Sequence, residues 1–224
     1  MLKIEKTVLP DAKQWKIIIE GMRNPMNSWD KMDSEFVYYA SDECFEDPVT
    51  IGEADKKLMM SLNKGGTEHS KYRRMIPVWV TINAPLYWWK EADTYTVGKV
   101  QNGCSTMHKV HAKEFTVDDF SHEHLTGEWT DNWVYVDWHS LLSDIIKRLN
   151  YARAKFIETK DKKYWWQMIQ LLPTSYNQKR TVFLNYEVLA KMYRERRNHK
   201  LDEWHTLCDW IKTLPYSELI TMEE

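Results

Sequence analysis

The sequence predicts an α+β fold with a helical C-terminal half, built as a single domain over residues 1–224. The length of 224 residues suits one domain with a sizeable core, and no Pro-, Ser- or Gly-rich linker divides it. Alternating and β-branched segments, which are typical of strands, lie in the first half. Apolar residues at helical spacing dominate the second half.

The N-terminal region alternates strand-like and helical segments. Leu2–Leu9 alternates apolar with polar residues and predicts a short strand. Pro10 and Asp11 can open a helix that we expect to end at Gly21. Residues 24–48 are polar and turn-rich, which predicts an irregular stretch. A helix over Gly52–Leu62 follows, stopped by the Asn and Gly residues after it.

The central region holds the clearest strand. Met75–Ile82 reads MIPVWVTI, rich in β-branched and aromatic residues. Pro77 cannot donate to a strand ladder, so we expect it at an edge, a bulge or the strand start. A helix should begin at Ala84 and Pro85. The polar run after Gly98 should interrupt regular structure. Four further helices are then expected, over Val134–Ile157, Lys163–Leu172, Thr181–Arg197 and Leu201–Leu214.

Composition excludes several classes of function. The net charge of -2 argues against a dedicated nucleic-acid binder. No GxGxxG or GxxxxGK[ST] pattern occurs, which excludes Rossmann and P-loop nucleotide sites. Three cysteines without a CxxC pair favour neither a disulfide framework nor a structural zinc site. Without an apolar leader or a membrane-length apolar run, the protein is expected in the cytoplasm.

The first candidate for chemistry is the polar segment before the central strand. His69, Ser70, Arg73 and Arg74 occur within six residues there. Adjacent arginines with a hydroxyl and an imidazole can hold a pyrophosphate through charge-assisted hydrogen bonds. The alternative is a solvated, charged approach to the strand.

The second candidate runs from Gln101 to His108, where amide, hydroxyl and imidazole groups follow a turn. On a helix, Cys104 and His108 would share a face, which allows a thiolate–imidazole nucleophile in principle. No third member of such a triad is recognisable. The other histidine pairs, which involve His111, His122 and His124, lack the converging ligands of a zinc site, so no metal is expected.

The third candidate lies in the C-terminal helices. Its polar members are Asn185, Glu187, Arg194, Arg196, Arg197 and His199. The arginines near a helix end can simply complement the helix dipole, or they can bind a phosphate presented from elsewhere. Twelve Trp and twelve Tyr residues add flat surfaces that can pack a core or stack on bases and flavins.

Taken in order, these three stretches resemble flavin-dependent thymidylate synthases. In that family a helix ends in Gly before an H-x-S-P-F-E-H-like segment, and a strand ending in Ala-Pro and a helix follow. The corresponding run here is GGTEHSKYRRMIPVWVTINAPLYWW. A later block, LLPTSYNQKRTVFLNYEVLAKMYRERRNHKLDEW, is similar to the family's Leu-Pro segment and the Asn-led helix after it. The resemblance covers about two-thirds of the chain and implies an antiparallel sheet flanked by helices.

The central block departs from the family's arginine-rich signature. Where the family has R-H-R, this chain has Tyr95, Thr96 and Val97. Asn102 and Ser105 match the family's Asn and second Ser, but Gly103 replaces the acidic residue and Met107-His108 replaces R-Y. Each lost charge-assisted contact to an anion weakens binding. Arg73, Arg74 and Lys99 could supply replacement charge.

The resemblance implies reductive methylation of dUMP to dTMP with FAD, methylenetetrahydrofolate and NADPH, without a protein nucleophile. It implies a homotetramer of bacterial or phage origin that binds a small nucleotide and no membrane. The residues expected to face the flavin are His69, Ser70, Arg73, Arg74, Asn102, Asn185 and Glu187. Those expected to face the nucleotide are Ser105, His108 and Arg196. The alternatives are a family member that binds or modifies another pyrimidine nucleotide, or a non-catalytic interaction protein.

Overall fold

The computed structural model describes residues 1–38 and 48–222. Its helices are α1 (Ala12–Arg23), α2 (Glu53–Lys64), α3 (Leu86–Ala92), α4 (Trp138–Thr159), α5 (Lys162–Leu171), α6 (Tyr186–Arg196), α7 (Asp202–Lys212) and α8 (Glu218–Thr221). Its strands are β1 (Lys3–Val8), β2 (Glu35–Phe36), β3 (Val49–Thr50), β4 (Pro77–Pro85), β5 (Val100–Gly103), β6 (Gly127–Trp129), β7 (Tyr135–Asp137) and β8 (Asn177–Asn185).

Four strands form the main antiparallel sheet, in the order β1-β4-β8-β5. The β2–β3 and β6–β7 pairs form two small antiparallel sheets. The expected α+β class with an antiparallel sheet and helices is therefore confirmed. None of the helices in the described ranges is long and apolar enough to cross a lipid bilayer.

The described chain divides into two compact units. One, here called the α4 unit, comprises residues 1–3, 82–94 and 102–180; the other, the α6 unit, comprises residues 4–81, 95–101 and 181 onwards. The expectation of one domain over residues 1–224 stays a prediction.

In the α6 unit, α1 shows how sequence dictates a local element. Asp11 caps the helix, because its carboxylate accepts the Gln14 N–H at 2.8 Å while the Gln14 side chain accepts the Asp11 N–H at 2.9 Å. Trp15, Ile18 and Ile19 recur at helical spacing and are buried. Those apolar residues hold the helix against the core of the unit.

A buried ion pair joins α1 to α2 in the same unit. Arg23 Nε donates to Asp55 Oδ1 at 2.5 Å, and both side chains are almost fully buried. The other oxygen of Asp55 accepts the N–H of Asp33 and both the N–H and hydroxyl of Ser34, at 2.6–3.1 Å. The carboxylate is thus surrounded by donors, as a buried charge requires.

The α4 unit has a separate apolar core. It is centred on α4 and α5, and its fully buried members are Val110, Phe115, Phe120, Leu142, Leu149, Ala152 and Met168. Phe120 and Tyr176 pack edge to face with ring centroids 5.5 Å apart. Asn150 ties a loop to α4, since its side chain exchanges hydrogen bonds with the Phe115 backbone at 2.8 Å in both directions.

Several expected boundaries are wrong, for identifiable reasons. The helix expected to end at Gly21 continues to Arg23. Gly21 lies within the helix at a close contact, since a Cβ there would lie 3.2 Å from Met75 Cε. The helix expected over Thr181–Arg197 begins only at Tyr186, because the residues before it belong to strand β8. Val182 and Leu184 are buried and lie two positions apart, which is the spacing of a strand. The predicted helix did not take this alternation into account.

Two more differences concern the borders of the α4 unit. The polar run after Gly98, expected to interrupt regular structure, forms strand β5. The helix expected from Val134 starts at Trp138, because the preceding residues form strand β7. Pro77 opens β4, which is one of the three placements expected for it, although the strand was expected from Met75. The helix expected to begin at Ala84 and Pro85 begins at Leu86, because those two residues still belong to β4. The helices at α2, α5 and α7 are confirmed. The expected irregular stretch over residues 24–48 lies partly outside the described residues.

Candidate functional site

A buried polar cluster forms where the segment before β4 meets the start of α6. Arg73 Nη2 lies 2.6 Å from Glu187 Oε2 and donates to Ser70 Oγ at 3.1 Å. Arg73 Nη1 donates to the Leu219 carbonyl at 3.2 Å. Ser70 is fully buried, and its hydroxyl donates to the Gly66 carbonyl at 3.0 Å. Three residues expected at the flavin site are therefore brought together and hold one another.

The other two residues of that sequence segment point elsewhere. Arg74 is exposed and donates to the Thr67 carbonyl at 3.3 Å. His69 is also exposed, and it packs against the helix end, since a Cβ at Gly65 would lie 2.9 Å from its ring. The expected grouping of His69, Ser70, Arg73 and Arg74 thus splits into a buried pair and a surface pair.

A cavity of about 730 Å³ opens beside this cluster, wholly within the α6 unit. It is lined by Asn63, Lys64, Gly66, Thr67, Arg73, Ala190, Tyr193, Arg194, Arg197, Ile220 and Met222. Among the described residues that line the cavity, four are cationic and none is acidic. The lining is therefore suited to an anionic ligand.

The cavity wall is held in place by hydrogen bonds behind it. Tyr72 donates its hydroxyl to Asn63 Oδ1 at 2.9 Å, and the Asn63 amide donates to the Leu219 carbonyl at 3.3 Å. Burial raises the pKa of Tyr72, so this hydroxyl stays a donor at physiological pH. The end of α2 is in this way fixed to α8.

Arg196, expected to hold a nucleotide phosphate, is engaged within its own unit. Its Nε donates to the Tyr95 hydroxyl at 2.9 Å, and its guanidinium lies 4.8 Å from the ring centroid of Trp204. The Tyr95 hydroxyl in turn donates to Glu195 Oε2 at 2.7 Å. Burial, with help from Glu195, raises the pKa of Tyr95 to about 12. The tyrosine that replaces the first arginine of the family signature therefore binds Arg196.

Asn185, expected at the flavin, caps helix α6. Its Oδ1 accepts the Val188 N–H at 3.0 Å, and its side chain is buried. Gly98 lies against it with φ +74, and a Cβ at Gly98 would be 3.0 Å from Asn185 Nδ2. Both the positive φ and the close approach require glycine at this position.

The remaining predicted residues lie in the α4 unit, in and after β5. Asn102, Ser105 and His108 are all exposed there. Ser105 Oγ accepts the His108 N–H at 2.9 Å and so closes a turn. Cys104 and His108 are not on a helix, so the shared helical face considered for them does not exist. This turn borders a second cavity, of about 540 Å³.

Strand β8 supplies an arginine of the α4 unit that sequence reasoning missed. Arg180 pairs with Asp93 through Nη1 at 2.8 and 3.1 Å, and its guanidinium lies 4.3 Å from the Trp89 ring centroid. Gly103 leaves room for it, since a Cβ there would lie 2.8 Å from Arg180 Cγ. Because Arg180 lies 87 positions from Asp93 in the sequence, no local sequence pattern indicates this arrangement.

The cationic wall of the larger cavity was also missed as a unit. The sequence indicates Arg197 as a possible phosphate ligand, but it gives Arg194 only as a member of a polar stretch and does not single out Lys64. Their common feature is nevertheless readable, because Ala190, Arg194 and Arg197 recur at helical spacing and share one face of α6.

Comparison with known proteins gives matches at the level of structure. The sequence matches no protein-family profile and is similar to no curated protein. Two structures of thymidylate synthase X (ThyX) from Helicobacter pylori with FAD and dUMP match at TM-scores of 0.60 and 0.61, each at 16% identity. These matches cover 99% of this chain and 96% and 97% of those chains.

A third match is the UMP/dUMP methylase PolB from Streptomyces cacaoi, bound with 5-Br dUMP. It has a TM-score of 0.58 and 13% identity, and the match covers 99% of this chain and 94% of that one. Likeness at such identities, extending over nearly the whole of each chain, establishes a common architecture. The chain therefore has the fold of the flavin-dependent thymidylate synthases, which confirms at the level of fold the resemblance inferred from its sequence.

Proposed function

We propose that this protein is a divergent flavin-dependent thymidylate synthase-like enzyme. The reaction is the reductive methylation of dUMP to dTMP, with methylenetetrahydrofolate as the carbon donor and NADPH as the reductant. The observation that carries the proposal is the match over 99% of the chain to proteins described with FAD and dUMP. A cationic cavity in the α6 unit supports it.

The residues present fit an anionic dinucleotide such as FAD. The cavity of about 730 Å³ lies within the range of about 300–1,000 Å³ that ligand sites occupy. Arg73 Nε is buried and has no hydrogen-bond partner in the described part of the chain, so one donor is left for a ligand. When bound, the flavin would supply hydride transfer, which no protein side chain provides.

The residues of this chain would hold and orient the two ligands. In the proposed assignment, Ser70, Arg73, Asn185 and Glu187, with the exposed His69, Arg74 and Asn102, face the flavin. Ser105, His108 and Arg196 face the nucleotide. A ligand that binds to side chains already fixed in position is oriented at low entropic cost. The hydrogen bonds and the ion pair of Arg73 fix its guanidinium in this way. A homotetramer is proposed as the working assembly.

No protein nucleophile is needed in this proposal, and the cysteines agree with that. Burial raises the pKa of Cys208 to about 11, which keeps its thiol protonated at neutral pH. Cys104 is exposed, directly after β5. A Cys104→Ser variant is therefore expected to retain the activity of the parent protein.

The proposal is tested with purified full-length protein in two steps. Absorbance in the flavin bands, before and after incubation with FAD, reports whether the cofactor binds. Tritium release from labelled deoxyuridine monophosphate, with folate donor and NADPH present, reports the methylation. Flavin uptake with tritium release is the expected result. A folded protein that takes up no FAD would exclude the enzyme function.

A second candidate function follows from the Tyr95–Arg196 contact. If Arg196 stays bound to Tyr95 and Trp204, a phosphate of dUMP loses an arginine that the resemblance assigns to it. The chain would then bind or modify another pyrimidine nucleotide, or act without catalysis as an interaction protein. Flavin uptake without tritium release from dUMP, followed by a screen of uridine and cytidine nucleotides, separates these outcomes.

A further inference from the structure

A hairpin in the α4 unit carries large aromatic side chains that lie in solvent. It consists of β6, the turn after it and β7, residues 127–137, and is here called the aromatic hairpin. The exposed fraction is 66% at Trp129, 86% at Trp133 and 53% at Tyr135. Aromatic rings dominate the energetics of interfaces, and contiguous exposed apolar surface marks a site of interaction. The hairpin is therefore a candidate docking surface.

The turn of the hairpin places Trp133 in a backbone conformation that disfavours it. The Trp133 N–H donates to the Thr130 carbonyl at 3.0 Å, and the Thr130 N–H donates to the Val134 carbonyl at 2.9 Å. Hairpin loops of this kind end on a residue in the left-handed region, which is ordinarily glycine. Trp133 holds that position with φ +56, where the Cβ of a bulky residue crowds a carbonyl oxygen.

The exposure of Trp133 gives this strain a meaning. Because the indole is 86% exposed, burial against the described residues does not offset the unfavourable backbone. Strained residues persist at sites where the strained position serves binding or catalysis. A tryptophan in the place of a turn glycine thus presents its ring to another molecule.

The two other rings form a fixed pair on one face of the hairpin. Trp129 and Tyr135 are opposite each other in the strand pairing, and their ring centroids are 5.2 Å apart. Gly127 makes room for this pair, since a Cβ there would overlap the Tyr135 hydroxyl. Rings that are already held in place lose little freedom when a partner binds.

The sequence around the hairpin is strongly acidic. No Lys or Arg occurs between residues 114 and 146, although these two types make up 31 of the 224 residues. The Glu128 and Asp131 carboxylates form no ion pair or hydrogen bond with any residue of the ranges 1–38 and 48–222. The acidic residues of the segment are Glu114, Asp118, Asp119, Glu123, Glu128, Asp131, Asp137 and Asp144.

We propose that the aromatic hairpin binds an arginine-rich segment of a partner protein. A guanidinium stacks on aromatic ring faces and also pairs with carboxylates, so one type of side chain complements both features of the hairpin. The inference does not rest on the proposed function, because none of residues 127–137 is assigned there to the flavin or the nucleotide.

The negative charge disfavours the other occupants of an aromatic surface. Nucleic acids and anionic lipid surfaces present phosphates, which an acidic segment without Lys or Arg repels. A two-fold contact between the hairpins of two copies would bring the same carboxylates of both copies together. A cationic polypeptide is attracted by the charge and covers the rings.

The test is calorimetric titration of the full-length protein with synthetic peptides of Arg-Gly-Ser repeats. Peptides of Lys-Gly-Ser and Glu-Gly-Ser repeats of the same length are the matched probes. The arginine repeat should bind more tightly than the lysine repeat, because an ammonium group neither stacks nor pairs in a bidentate manner. The glutamate repeat should not bind, and added salt should weaken the binding of both cationic repeats.

Trp133→Gly separates binding from folding. It removes the ring and gives the turn its preferred residue, so the melting temperature should not fall, whereas the Kd of the arginine repeat should rise by about tenfold or more. Trp133→Asn, which also tolerates the left-handed region, should behave in the same way. Tyr151→Ala removes an exposed ring of α4 outside the hairpin and should leave the Kd unchanged.

The contribution of charge is tested at Asp131. Asp131→Asn should raise the Kd of the arginine repeat by about threefold and make it less dependent on salt. Glu158→Gln, at an exposed acidic residue of α4 outside residues 114–146, is the control and should change neither property.

Three results of the titrations would overturn the inference. They are an arginine repeat that the parent protein does not bind, a Kd that is unchanged in folded Trp133→Gly and Trp133→Asn, and a glutamate repeat that binds as tightly as the arginine repeat. Sedimentation of the parent protein tests the remaining occupant. Self-association that Trp133→Gly abolishes would assign the surface to a second copy of the chain and would also overturn the inference.

Discussion

The arginines of the α6 unit fall into two groups. Arg23, Arg73 and Arg196 form ion pairs, hydrogen bonds or ring contacts with residues of their own unit. Arg194 and Arg197 instead line a cavity that has no acidic residue among its described lining residues. Arg23 and Arg196 hold the fold together. Arg73 does so too, but it also lines the cavity with Arg194 and Arg197, and its Nε has no partner among the described residues. An arginine's position in a sequence motif therefore does not by itself tell which of these two roles it has.

The largest expected loss of stability concerns the buried ion pair of Arg23 with Asp55. Asp55→Asn removes the charge that balances buried Arg23 and should lower the free energy of unfolding by about 3–5 kcal/mol. Urea denaturation monitored by tryptophan fluorescence measures it. Asp144→Asn breaks an exposed pair with Lys147 and should change stability by less than about 1 kcal/mol. Equal effects of both variants would show that the buried pair is not special.

A second variant tests Arg73, which is paired with a carboxylate and also lines the cavity. Glu187→Gln removes the carboxylate beside Arg73, so the free energy of unfolding should fall by about 3 kcal/mol. The cavity gains net positive charge at the same time, so its Kd for the nucleotide that it binds should decrease. A Kd that increases in folded Glu187→Gln protein would mean that the contact between the Glu187 carboxylate and the ligand outweighs the gain in positive charge.

A smaller effect is expected at the Tyr95–Arg196 contact. Tyr95→Phe removes two hydrogen bonds made by the hydroxyl and should lower the free energy of unfolding by about 1–3 kcal/mol. Tyr151→Phe, at an exposed tyrosine of α4, should leave stability nearly unchanged. If both variants match the parent protein, Arg196 is not held by this contact.

Tyr95 also makes the stability of the folded protein depend on pH in the alkaline range. Because its folded pKa of about 12 lies above the ordinary value of 10.0, Tyr95 is more protonated in the folded than in the unfolded chain between those values. Its contribution to stability is therefore complete below pH 10 and is lost as the pH rises toward 12. Ultraviolet titration of tyrosinate should show that Tyr95→Phe removes one late-titrating group. Removal of an early-titrating group instead would contradict this.

The smallest effect separates backbone strain from close packing. Gly98→Ala and Gly66→Ala both place a side chain at positive φ, at a cost of about 1–2 kcal/mol. Only at Gly98 does the new Cβ meet Asn185 and Val188, each at 3.0 Å; at Gly66 nothing lies within 4 Å. Gly98→Ala should therefore lower the melting temperature further than Gly66→Ala. Equal shifts would mean that the Asn185 side chain moves away freely.

Much of the fold could be predicted from local sequence patterns. The Asp11 cap, the strand from Pro77 and the helices at α2, α5 and α7 follow from periodicity and turn chemistry. Strand β8 was missed because its short alternating run leads directly into an amphipathic helix, and the two periods merge.

The candidate site could be predicted only in part. The sequence placed Ser70 and Arg73 together because they are close in the chain, and the resemblance added Glu187. It could not show that Tyr95 binds Arg196, since these residues are about a hundred positions apart and pair only through folding. Contacts between side chains so far apart in the sequence are determined by tertiary packing and leave no local sequence signal.

The proposed function depends on whether the cationic cavity of the α6 unit binds FAD. The most direct measurement is equilibrium dialysis of FAD against the parent protein, the Arg194→Ala/Arg197→Ala double variant and the control Arg148→Ala, at an exposed arginine of α4, read by flavin absorbance. We expect stoichiometric flavin on the parent and the control and a large loss on the double variant. A folded parent protein that retains no flavin, or a double variant that retains as much as the control, would contradict it.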